Sequence, residues 1–154
     1  MNSGLVRSIA DLSNRWRSRF LPSKVSSRPQ HLQRGARGEK LACRFLRRKG
    51  YKVLYRNFKG HSGGEIDIVC RDNDTLVFVE VKTRTREDYG RPITAVDRQK
   101  QKRISRGGLS WLRMLDNPDI LFRFDVVEVL IAESAAPRFE LIRNAFQLPE
   151  PYIY

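Results

Sequence analysis

Two carboxylates and an amine stand where apolar strand sequence would otherwise run on. The segment Glu65-Ile66-Asp67-Ile68-Val69-Cys70-Arg71 carries Asp67, and Leu76-Val77-Phe78-Val79-Glu80-Val81-Lys82 ends in Glu80 and Lys82. Twelve residues lie between Asp67 and Glu80, a spacing that fits two strands of a hairpin turned at Asp72-Asn73-Asp74. Strand alternation places Ile66 and Ile68 on one face and Glu65, Asp67 and Val69 on the other. On the next strand Val77, Val79 and Val81 share a face, and Phe78, Glu80 and Lys82 share the opposite one. Asp67 and Glu80 would then converge across neighbouring strands, with Lys82 two residues farther along the same side. Burying an unpaired charge costs on the order of several kcal/mol, so each group needs a partner. One account is a structural ion pair between Lys82 and an acid at the sheet rim. The other is a divalent-metal site. Mg²⁺ or Mn²⁺ binds one or two carboxylates together with waters and phosphate oxygens, and so serves phosphodiester hydrolysis. Asp67 and Glu80 are the expected ligands, the main-chain carbonyl of Val81 completes the set, and Lys82 stabilises charge on the attacking water or the phosphate. The glycine-led strand Gly63-Gly64-Glu65-Ile66-Asp67 and a further acid, Glu39, favour the metal account.

The rest of the chain must position these groups and bring them a substrate. Thirty Lys+Arg oppose seventeen Asp+Glu over 154 residues, for a formal net charge of +13. Such a surplus makes a field answered by polyanions, namely nucleic acid or an anionic membrane. No apolar run approaches the roughly 20 residues that span a bilayer, so no integral membrane association is expected. The N-terminus lacks a secretory pattern, and Cys43 and Cys70 stand apart without CxxC spacing. Two lone thiols read as reduced, buried side chains of a cytosolic protein, and they leave any metal to oxygen ligands.

Three regions follow from composition. Residues 1–30 form a basic leader in which Leu5, Ile9, Leu12 and Trp16 fall at helical spacing, a short amphipathic helix that suits a polyanion, a membrane surface or a partner. Residues 31–148 form an α/β domain, and 149–154 a tail. Within the domain Leu32 to Lys49 has helical periodicity, capped by Gly50. Strands are expected over Tyr51 to Tyr55, Glu65 to Arg71, Leu76 to Lys82, Phe122 to Ile131 and Phe139 to Arg143, with Arg56 to Gly64 a polar loop. The near-continuous apolar run before Glu80 marks a central strand covered on both faces. Ile93 to Leu115 is expected to be helical, with Gly107-Gly108 bending or breaking it. Helix, strands, helix, strands give a mixed β-sheet flanked by helices. Asp125, in the middle of a strand, reads as structural and answered by an arginine; His31 and His61 lack ligand spacing.

The set Glu39, Gly-Gly-Glu-Ile-Asp (63–67) and Phe-Val-Glu-Val-Lys (78–82) resembles the PD-(D/E)xK nuclease superfamily, whose fold is restriction-endonuclease-like, and within it the archaeal Holliday-junction resolvases. More closely, the stretch from Gly35 to about Val129 is similar to the YraN family of small bacterial proteins, through Arg-Gly-x-x-Gly-Glu (34–39), the two strand motifs and Arg-Phe-Asp-Val-Val (123–127). The resemblance implies that Glu39 helps hold the metal, that Asp67 and Glu80 are ligands, and that Lys82 is the lysine of the reaction. Ile66 stands where the superfamily's name has proline, a position that varies without touching the acids. The resemblance also admits a homodimer, since a junction has two-fold symmetry.

Beyond the acids, Asp97 to Arg106 is one of the densest basic runs. Arg98, Lys100, Lys102 and Arg103 there, with Arg84 and Arg86 in the segment after Lys82, are candidate phosphate contacts of the salt-sensitive, sequence-independent kind. Related nucleases place a Gln or Lys on this helix near the scissile phosphate, which makes Gln99 a candidate; a solvated helix face is the alternative. The combination points to a metal-dependent nuclease acting on DNA, branched or single-stranded forms included. The competing reading is a non-catalytic nucleic-acid-binding or assembly protein that keeps the nuclease fold. A third reading is a protein tethered to a membrane or partner by its leader.

Overall fold

The structure, a computed structural model, describes residues 30–61, 63–85, 96–132 and 135–152. Nearly all of the expected leader, and the loop 86–95 with Arg86, lie outside the described residues. The elements run α1 (Gln30–Arg48), β1 (Lys52–Lys59), β2 (Glu65–Asp72), β3 (Thr75–Arg84), α2 (Arg98–Met114), β4 (Phe122–Leu130) and β5 (Arg138–Phe146). They form one five-stranded sheet in the order β1-β2-β3-β4-β5. All neighbours are antiparallel except β3 and β4, whose parallel pairing needs the α2 crossover between them.

The sheet is covered on both faces, as the β3 sequence required. Leu76, Phe78, Val69, Phe124 and Val126 pack in one cluster with Ile104, Trp111 and Leu112 of α2. Their strand neighbours Val77, Val79, Cys70, Val127 and Val129 pack in a second cluster with Ala42, Cys43 and Leu46 of α1. Successive residues of one strand thus enter opposite clusters, which makes the molecule a helix–sheet–helix sandwich consistent with a restriction-endonuclease-like fold. Both cysteines are buried and unpaired, as their isolation in sequence implied.

α1 ends as expected at Gly50, with φ +91°. The Tyr51 amide donates to the Leu46 carbonyl and the Gly50 amide to that of Arg47, a paired arrangement that satisfies the last carbonyls of the helix. Arg47 and Arg48 lie in the last turn, where cations oppose the helix dipole. α2 starts at Asp97, whose carboxylate accepts from the Lys100 amide at 2.8 Å.

Three expectations need correction. The segment 56–59 belongs to β1, not to a loop: hydrogen bonds to β2 outweigh its polar composition. Gly107-Gly108 do not interrupt α2, which passes through them and buries both. Side chains are absent there because the sheet is too close: a Cβ on Gly64 would lie 2.0 Å from the Gly107 amide nitrogen, and one on Gly108 3.0 Å from the Phe78 ring. Ile66 and Ile68 do not share a face either, since Ile66 joins the α2-side cluster and Ile68 the α1-side cluster. Across the sheet from the segment between them, Asn57 of β1 has φ +54°.

Candidate metal and nucleic-acid site

Asp67 sits at the point where the hairpin opens. The β2–β3 ladder runs from Asp72↔Thr75 to Ile68↔Val79, a register that puts Asp67 opposite Glu80. Beyond it the Asp67 side chain takes over from the backbone: its Oδ2 accepts from the Val81 amide at 2.8 Å. The two strands therefore part just enough to admit a carboxylate, and the two acids meet there although the alternation around Asp67 is broken. Glu80 is 7 % exposed and directly follows the apolar run Leu76–Val79 of β3. Burial, the Glu80 charge and a hydrogen bond shared between the two side chains push the Asp67 carboxyl up to about 7. Two acids this close hold either a proton or a cation between them.

A cation from α2 reaches the pair. Lys100 Nζ lies 3.0 Å from Glu80 Oε1 and 3.3 Å from Glu65 Oε1, and Arg103 lies 2.8 Å from Glu65 Oε2. Burial lowers the Lys100 ammonium pKa, but the Glu80, Asp67 and Glu65 charges outweigh it and raise it. Lys100, expected to contact nucleic acid, is therefore tied to the acids, and Glu65 is a site residue to which the sequence reading gave no role. Its position two residues before Asp67 was the available signal.

Glu39 stands beside this pair on α1. Gly38 before it is buried against the end of β3, where an added Cβ would lie 1.8 Å from Thr83 Oγ1. That approach explains the second glycine of the 34–39 motif. Burial raises the Glu39 carboxyl pKa; Asn57 lowers it, Asp67 raises it and Arg56 lowers it. Its Oε2 lies 3.5 Å from Arg56. Among the described residues no three His, Cys, Asp and Glu side chains gather closely enough to hold a metal, so Glu39 does not join Asp67 and Glu80 in such a cluster. Lys82 lies opposite Glu128 in the unbroken β3–β4 ladder, which keeps it on the Glu80 side of the strand. Among the described residues it makes no ion pair.

The donor set suits a hard divalent ion. Asp67 and Glu80 offer the one or two carboxylates that Mg²⁺ prefers. Glu80 Oε2 is buried and accepts no hydrogen bond, so one strong acceptor inside the site lacks the partner that burial demands. Of Val81, the amide engages Asp67, while its carbonyl remains the expected main-chain ligand.

The basic candidates divide. Arg84 is largely buried and paired with Glu128. Arg98, Gln99 and Lys102 are exposed on α2. A cleft of about 450 Å³ beside α2 is lined by Asp97, Gln99, Lys100, Lys102, Arg103 and Arg106, with Tyr152 from the chain's end. Asp125 is fully buried and structural as expected: Arg123 Nε donates to it at 2.9 Å, and the Asn144 amide at 2.9 Å. No helix among the described residues is long and apolar enough to cross a membrane.

Residues 38–129 match the model of a family described as uncharacterised protein family UPF0102. A UPF0102 protein of Geobacter sulfurreducens is 50 % identical over 114 residues, covering 74 % of this chain and 88 % of the relative. One of Geobacter metallireducens is 49 % identical over 114 residues, covering 74 % and 92 %. A third, from Chlorobaculum tepidum, is 44 % identical over 125 residues, covering 78 % and 95 %. The matched span holds Glu39, Asp67, Glu80, Lys82 and Lys100.

Proposed function

This chain belongs to the UPF0102 family, the YraN-like proteins of its sequence resemblance, and we propose that it is a Mg²⁺- or Mn²⁺-dependent nuclease acting on DNA in a cytosolic setting. The observation that carries the proposal is the meeting of Asp67 and Glu80 across β2 and β3, with Glu80 Oε2 buried and unpartnered. A surface ion pair has no use for two buried acids at one point, whereas a divalent ion does. Asp67 and Glu80 would hold the ion with the Val81 carbonyl, while Glu39 on α1 adds negative charge beside Asp67. A divalent ion bound there supplies charge neutralisation at phosphate and a water of lowered pKa.

The chain's own residues do the rest. Asp67 must give up its proton to bind the ion, and the Val81 amide holds its carboxylate in place as it does so. Lys82, on the Glu80 side of β3, is placed to stabilise negative charge on a phosphate oxygen. Lys100 neutralises the acids in this structure, and with a divalent ion held by Asp67 and Glu80 its ammonium would be free to turn to phosphate. Gln99 and Lys102 of α2 line the approach, with Arg98 exposed on the same helix, and the +13 charge draws the substrate in.

Incubation of the purified protein with junction, flap, single-stranded and duplex DNA and with RNA, in Mn²⁺ or EDTA, tests the proposal. Metal-dependent cleavage that disappears in Asp67→Ala and Glu80→Ala is the expected result. One observation favours a second reading, a binding or assembly protein: Lys100 already pairs with Glu80, so the acids have a partner without metal. Tight DNA binding that never yields cuts under any metal supports that reading instead.

A further inference from the structure

Acid-pair chemistry leaves most of the α2 cleft unexplained. Gln99, Lys102, Arg103 and Arg106 follow one another at i, i+3, i+4 and i+7, so they form a single stripe on α2. The opposite stripe, with Ile104, Trp111 and Leu112, is buried against the sheet. Facing the cationic stripe across the cleft is one aromatic side chain, Tyr152. It is half-buried, packs against the α2-side core cluster and is fixed by its amide's bond to the Pro149 carbonyl at 3.0 Å. The expected tail is thus folded onto the domain at this point. The only acid among the described lining residues, Asp97, has its carboxylate turned to the α2 cap. Lys100 lines the same cleft and touches Glu80, so one side chain joins the cleft to the acid pair.

We propose that this cleft seats a single strand of nucleic acid, with an unpaired base stacked on Tyr152 and the adjoining phosphates held by Lys102 and Arg106. Cations that follow a backbone beside an aromatic platform are the means by which proteins take single strands without reading sequence. The ring lies inside a cleft, where an unpaired base reaches it and a base stacked within a duplex does not. A phosphorylated or acidic protein would use the cations and leave the ring idle. The inference deepens the nuclease reading and rests on it for the choice of polyanion.

Fluorescence anisotropy of the full chain in EDTA tests it, with a labelled oligothymidine of about 15 nucleotides and a duplex of equal length. The protein should bind the single strand more tightly than the duplex. Tyr152→Leu, which keeps apolar packing, should weaken single-strand binding about tenfold and leave duplex binding unchanged, while Tyr152→Phe should bind as the parent does. Arg106→Ala should lower the slope of log affinity against log salt by about one. Unchanged single-strand affinity in Tyr152→Leu, or a preference for duplex, overturns the inference. Because no metal is present, that failure is separable from failure of the nuclease reading: cleavage in Mn²⁺ would survive it. Conversely, a Tyr152-dependent single-strand preference in a protein that never cuts sustains the inference and removes the nuclease.

Discussion

At the scale of single residues the site turns on the proton of Asp67. Its carboxyl, ordinarily at 3.8, rises to about 7 in the folded protein, first through burial and then through Glu80. The folded state therefore holds a proton that the unfolded chain releases. Stability of the metal-free protein should fall as pH rises from about 4 to 7, and the Asp67→Asn variant should flatten that decline in chemical-denaturation curves. Metal binding requires the ionised form, so Mn²⁺ affinity should climb through the same window with proton uptake by the buffer. Lys100 gives a second prediction. In Lys100→Met the buried Glu80 loses its counter-charge, and the metal-free protein should lose about 1–3 kcal/mol. Added Mn²⁺ should restore most of that loss, as thermal unfolding with and without metal would show. The sequence disclosed Asp67, Glu80 and Lys82 because acids that end an apolar strand are conspicuous. It hid Glu65 and the inward role of Lys100, since a lysine in a basic run gives no sign that it turns toward the sheet.

At the scale of elements, glycines decide how closely the helices approach the acids. Gly38 faces the Thr83 side chain and Gly64 faces the α2 backbone at Gly107. Gly38→Ala should cost about 1–3 kcal/mol, and Thr83→Ala should recover part of it by removing the nearest atom. Gly64→Ala should cost more, because backbone cannot yield as a side chain does, and no second substitution should rescue it. Melting temperatures of the singles and the Gly38–Thr83 double variant check both statements. The same glycines mark where sequence reading succeeded and failed. Gly50 was legible as a cap because it follows an amphipathic run. Gly107-Gly108 suggested a break by propensity, yet their missing side chains are what let α2 rest on β2 and β3. The opposite mistake concerned 56–59, where polar composition concealed a paired strand. Ile66 and Ile68 enter opposite clusters, and a period-two pattern read along one strand cannot show it.

At the scale of the whole molecule, opposite ends of the sheet are stabilised differently. Away from the acid pair, Arg123 joins fully buried Asp125 to Asp72 at 2.8 Å and to the Tyr51 hydroxyl at 2.9 Å, tying β2, β4 and the connection between α1 and β1 together. Arg123→Ala strands Asp125 without its cation and should lower stability by about 3–5 kcal/mol in denaturant titrations. The element order and the two-sided burial of β3 were readable from apolar periodicity and turn residues, and the family match over 38–129 agrees with the span that carried the resemblance. The α2 cleft was not readable, because Tyr152 lies far along the chain from the cations it faces. The acid pair remains the centre of the account, and calorimetric titration with Mn²⁺ addresses it directly. The parent protein should bind one ion per chain at pH 8, and Asp67→Asn and Glu80→Gln should each abolish that binding while staying folded by circular dichroism. A parent that binds no Mn²⁺, or variants that bind it as the parent does, would contradict the account.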